Sequence, residues 1–91
     1  MFVMKISTAL DWPKVEAPLL ASVRNLKDYE HKEQAGKVIY NLGKMVSQLS
    51  KLELEARRSA FKSNQRVLEQ LEKINTEINN LEQWLTLLLL Y

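Results

Sequence analysis

The 91-residue sequence contains no cysteine, one histidine, two glycines and two prolines. Without cysteine there is no disulfide framework, no thiolate metal site and no cysteine nucleophile. The lone histidine leaves any metal site resting on carboxylates. Scarce glycine and proline supply little material for tight turns, which argues against a sandwich of short strands and for long helices. Long apolar runs are missing too. The Leu87–Leu90 run falls far short of the ~20 residues that a membrane-spanning helix needs, and Met1–Ile6 has neither the charged leader nor the cleavage site of a signal peptide. A cytoplasmic protein is therefore expected, with a membrane-surface contact of the C-terminal apolar group as a minor alternative that the acidic Glu77 and Glu82 disfavour.

What is present resembles an ordinary folded domain. Hydrophobic residues make up 46% and charged residues 26%, outside the range of chains that stay disordered. Ninety-one residues suit one domain, residues 1–91, near the size below which a core needs help from a partner or a second copy. The net charge of +2 conceals an asymmetry: 12 basic against 7 acidic residues through Arg66, then one lysine against four glutamates from Val67 onward. A basic body followed by an acidic segment can pair with itself as readily as with a foreign surface.

The most regular stretch is Val67, Leu71, Ile74, Ile78, Leu81, Leu85 and Leu88, at alternating steps of four and three. That spacing lays all seven on one stripe of an α-helix, the seam of a coiled coil. Ala35, Val38, Leu42, Met45, Leu49, Leu52 and Ala56 form a second ladder of the same kind. Ile39 and Val46 widen this one, so its helix should face two neighbours.

The two ladders are out of phase by one residue. Continuing the first by heptads reaches Ser59, Ser63, Arg66, Gln70, Lys73 and Glu77, all polar. A chain reversal between them uses that mismatch, and Ser59, Ser63 and Asn64 are N-cap types, with Phe61 placed to pack across the turn. The spacing thus predicts an all-α fold: an antiparallel, coiled-coil-like hairpin with a shorter N-terminal helix and an arm. The alternative is one long continuous helix in an intermolecular coiled coil. Expected bounds are an arm and bend over 1–17, a short helix over 18–30, and long helices over 34–58 and 63–90.

In the N-terminal part, Pro13 and Pro18 disfavour helical conformation at Trp12 and Ala17, which predicts a bend there. Pro18 suits a first helical position, followed by Leu19, Leu20, Val23 and Leu26 on one face. Trp12 reads as a packing residue. Gly36 and Gly43, seven apart on one helix face, would let another backbone approach.

No residue pattern carries catalysis. His31 lies in the polar run Lys27–Gln34 and reads as a solvated surface residue, Glu53 and Glu55 point to different faces, and no phosphate-binding glycine loop is present. No catalytic residue, metal ligand, cofactor or small-molecule substrate is assigned, and the chain is expected not to be an enzyme.

Two surfaces remain. In the heptad of the second seam Leu87 and Leu90 fall at c and f, away from the seam, with Trp84, Leu89 and Tyr91 on its flanks. Leaving leucines in water forgoes ~1.5–3 kcal/mol each, so Trp84, Leu87, Leu89, Leu90 and Tyr91 are the expected contacts with a protein partner or a second copy, unless Phe2, Val3, Met4 and Ile6 fold over them. This pattern predicts a protein-binding module such as an adaptor, chaperone or inhibitor. The alternative is a nucleic-acid-binding protein that follows a phosphate backbone with Arg58, Lys62 and Arg66, which stack at steps of four on a continuous helix.

Overall fold

A computed structural model describes residues 4–58 and 62–90, apart from the side chains of residues 62 and 63. Three helices account for nearly all of it: α1 (Trp12–Arg24), α2 (Tyr29–Arg58) and α3 (Lys62–Leu89), preceded by a 3-10 turn over Ala9–Asp11. The long helices pack against each other as the antiparallel hairpin expected from the phase mismatch. Their register is fixed by cross-helix contacts. Gln70 Nε2 donates to the Met45 carbonyl at 3.2 Å, and fourteen residues further along each helix the His31 and Trp84 rings meet with centroids 5.7 Å apart. The long dimension of 49 Å matches a 30-residue helix at ~1.5 Å per residue.

Burial follows the two ladders. Ala35, Leu42 and Leu49 of α2 and Ile74, Ile78, Leu81 and Leu85 of α3 are buried, while Val67, Leu71 and Leu88 at the ends of the α3 seam are half-buried. The widening residues Ile39 and Val46 are buried more deeply than Val38 and Met45, because α2 is flanked on one side by α3 and on the other by α1. Residues 59–61, where the reversal falls, lie outside the described residues, as do Ser59 and Phe61 with their expected roles.

The N-terminal third departs from expectation. In place of an arm and bend over 1–17 and a helix over 18–30, α1 starts at Trp12, takes Pro13 in its first turn and runs straight through Pro18. Pro13 sits where an N–H would go unpaired in any case. Pro18 removes one interior hydrogen bond, a cost of ~3 kcal/mol. Trp12, Val15 and Leu19 are all buried on the same helix, and at ~1.5–3 kcal/mol for each large apolar side chain that burial exceeds the cost of the proline.

α1 ends at Asn25, whose N–H donates to the Ser22 carbonyl, and the next N–H, that of Leu26, donates to the Val23 carbonyl, both at 3.1 Å; the Leu26 side chain in the connection is buried. The next helix begins at Tyr29, five residues before the expected residue 34. Asp28 is the cause. Its carbonyl accepts the first helical hydrogen bond from Lys32 N–H at 3.1 Å, and its side chain accepts from Glu30 N–H at 3.0 Å, the work of an N-cap.

The glycines do not serve a close backbone approach. A Cβ on Gly36 would meet nothing within 4 Å, and one on Gly43 would meet the Trp12 indole Nε1 at 3.9 Å. Gly36 therefore costs helix stability without a packing return, and Gly36→Ala is expected to stabilise the protein by about 0.5–1 kcal/mol. Thermal unfolding followed by circular dichroism checks this: a midpoint that fails to rise would mean that position 36 has a role beyond the helix.

Ahead of α1, the arm crosses the hairpin. Ile6 is buried and held at both backbone groups by one side chain: its N–H donates to Asn75 Oδ1 at 2.8 Å, and its carbonyl accepts from Asn75 Nδ2 at 2.9 Å. Met4 N–H donates to Glu82 Oε1 at 3.2 Å, and Ala9 N–H donates across to Glu53 Oε1 of α2 at 3.2 Å. The Asp11 carboxylate then gathers the N–H groups of Ser7 and Thr8, and these two hydrogen bonds hold its pKa below the ordinary aspartate range. Phe2 and Val3 lie outside the described residues.

Candidate functional site: the open end of the hairpin

Because α2 and α3 are antiparallel, the start of α2 and the close of α3 share the end of the hairpin opposite the turn. The last turns of α3 are unusual in charge as well as in hydropathy. Gln83 to Tyr91 is the longest uncharged run in the sequence. Leu85 is buried in the core and Leu88 packs against it, while Leu87, Leu89 and Leu90 are 57%, 44% and 75% exposed. The heptad separation of a fold-holding stripe from an outward group is thus present in space. Tyr91, assigned with that group from the sequence, lies outside the described residues.

Trp84 stands apart from the other assigned residues. It is half-buried against the core and meets His31 edge to face, with the two rings at 89°. His31 Nδ1 also lies 3.5 Å from the Asp28 carboxylate. A solvated His31 was expected. Its side chain does remain 37% exposed, while the ring also meets the indole, because the first turn of α2 faces the last turns of α3. The sequence signal for this was Asp28 placed three residues before His31, an N-cap arrangement that orients the imidazole.

Beside the leucines lies a groove of about 720 Å³. α1 and α3 both lean on α2 and barely touch each other, so a channel runs between them. Lys14, Pro18 and Ser22 form one wall, Asn79, Gln83, Thr86 and Leu89 the other, with Leu19 and Leu85 at the base and Met4 of the arm also lining it. Glu82 lines it as well, its carboxylate engaged by Met4 N–H. Thr86 Oγ1 donates back to the Glu82 carbonyl at 2.8 Å, which leaves its methyl group for the groove. Sequence reasoning missed this groove, since it depends on α1 reaching back to Trp12.

The basic row does not survive as a row. Arg58 closes α2 and residue 62 opens α3, with the reversal between them, so Arg58, Lys62 and Arg66 do not share one helix face. Arg57 and Arg58 occupy the last turn of α2, where cations complement the helix dipole. Arg58 instead continues the line of Lys37, Lys44 and Lys51 at steps of seven on the solvent side of α2. Two of these have local partners: Lys37 pairs with Glu33 at 3.6 Å, and Lys44 sits over the Tyr40 ring at 4.7 Å.

Three further exposed leucines were not singled out from the sequence: Leu10, Leu54 and Leu68. Among the described residues no three His, Asp or Glu side chains converge, and no helix is long and apolar enough to cross a membrane. No protein-family model, curated protein or solved structure matches the chain, so its functional reading rests on its own residues.

Proposed function

We propose that this protein is a non-enzymatic protein–protein interaction module, an adaptor, chaperone or inhibitor whose surface is the open end of the hairpin. The observation that carries the reading is the group Leu87, Leu89 and Leu90, exposed on an uncharged stretch beside an apolar groove. Exposed apolar groups gathered in one place favour association, and a rigid helical platform presents them with little ordering cost. The mechanism is occupancy: the leucines and groove dock on a protein surface and block, bridge or shield it.

Affinity capture from the native cell tests the reading, comparing the intact chain with Leu87→Glu/Leu90→Glu. The expected result is a partner retained by the intact chain, lost by the variant and insensitive to salt, because an apolar interface releases few counterions. Capture of nucleic acid that weakens steeply as salt rises, or a partner held equally by both chains, would overturn it.

A further inference from the structure

We propose that the occupant of the groove is a second copy of this chain, whose residues 83–90 lie between α1 and α3 while the same turns of the first copy fill its groove in return. The proposal rests on the protein-interaction reading and names the partner.

α1 and α3 each pack on α2 and scarcely on each other, and among the described residues the groove between them is lined by the arm, α1 and α3 with no residue of α2. Its α3 wall extends from Asn79 to Leu89, about 15 Å at ~1.5 Å per residue, which is the length of a helix of roughly three turns.

Charge narrows the choice. Among the described residues, Lys14 and Glu82 are the only charged ones lining the groove, one of each sign, so it attracts neither a strongly acidic nor a strongly basic helix. It suits an uncharged one. The longest uncharged run in this sequence is Gln83 to Tyr91, and within it Leu87 and Leu90 point into solvent.

Two-fold pairing further requires that the projecting group and the groove form one continuous patch, because each copy must present both. They do so on α3. Leu89 itself lines the groove, and Leu90, directly after α3, continues its last turn by donating its N–H to the carbonyl of the groove residue Thr86 at 3.2 Å. The remaining net charge of +2 imposes little repulsion between copies.

Sedimentation equilibrium of the full chain over a dilution series tests the pairing. A monomer–dimer equilibrium is expected, with a dissociation constant raised more than about a hundredfold in Leu87→Glu/Leu90→Glu by the loss of four buried leucines per dimer, at unchanged helicity. A second measurement places the contact without touching the leucines. Since the chain has no cysteine, Asn80→Cys carries a single spin label, and labelled chains are mixed with isotope-enriched wild-type chains. Broadening of the Ser22 and Thr86 amide signals supports the proposal. A monomer at every concentration, a dimer that persists in the leucine variant, or broadening centred on Ser47 and Lys51 would overturn it. A monomer overturns only the second copy as occupant; the interaction reading fails separately, if the intact chain captures nothing that the leucine variant loses.

Discussion

Ile78→Ala is expected to destabilise the protein by about 2–5 kcal/mol, which combines lost transfer energy with the cavity left behind. Ile78 is wholly buried at the centre of the α2–α3 seam, as is Ile74 one turn before it. A chain of this size has a total stability of roughly 5–14 kcal/mol, so the substitution removes a large share of it. At about 4–8 °C per kcal/mol, the thermal midpoint falls by at least about 8 °C. Val67→Ala provides the contrast. Val67 occupies the same stripe near the turn but is only half-buried, and its truncation should cost less than about 1.5 kcal/mol. Urea titrations of both variants measure the difference. Equal losses would mean that the seam is uniformly tight along its length, contrary to the burial gradient.

The second large effect concerns the arm. Asn75→Ala removes both hydrogen bonds to the Ile6 backbone. The N–H and carbonyl of Ile6 then either stay buried without partners, at about 1–3 kcal/mol each, or return to water by lifting the arm, which exposes Ile6 at ~1.5–3 kcal/mol. Lifting costs less. The expected result is a loss of roughly 2–3 kcal/mol, with hydrogen-exchange protection lost at the Ile6 amide and retained through the centres of α2 and α3. Asn75→Asp should not rescue it, because a carboxylate accepts from Ile6 N–H but cannot donate to the Ile6 carbonyl. An Ile6 amide still protected in Asn75→Ala would show that apolar packing alone holds the arm.

These two residues also mark how far the sequence could be read. Ile78 belongs to a periodic stripe, and a stripe announces its own burial: fourteen ladder positions at steps of three and four predicted two amphipathic stripes, and the one-residue mismatch between them favoured a reversal over one continuous helix. Asn75 carries no such signal. It lies at a polar flank position beside the seam, and nothing in the pattern says what it meets until the arm is laid against it.

The same division runs through the candidate site. Leu87 and Leu90 were legible as outward-facing because the heptad fixes their direction once the seam is known. Trp84 was placed with them because a flank position is neutral between water and core, and only the apposition of His31 from α2 decided the matter. The basic row is divided for a related reason. Steps of four align side chains only if the helix is continuous, and the same reversal that explains the ladders cuts Arg58 from Lys62 and Arg66.

The sequence by itself determined the two long helical stripes and the outward group at the close of α3, since each follows from periodicity within one segment; the phase between the stripes favoured an antiparallel pairing over one continuous helix, and the structure decided it. Tertiary structure decided the rest: that α1 begins at Trp12 despite two prolines, that Asn75 and Glu82 dock the arm, and that α1 and α3 splay over α2 to leave a groove. Those outcomes depend on what each side chain meets across the fold, where the burial of Trp12, Val15 and Leu19 outweighs a local preference against helix that the sequence displays plainly.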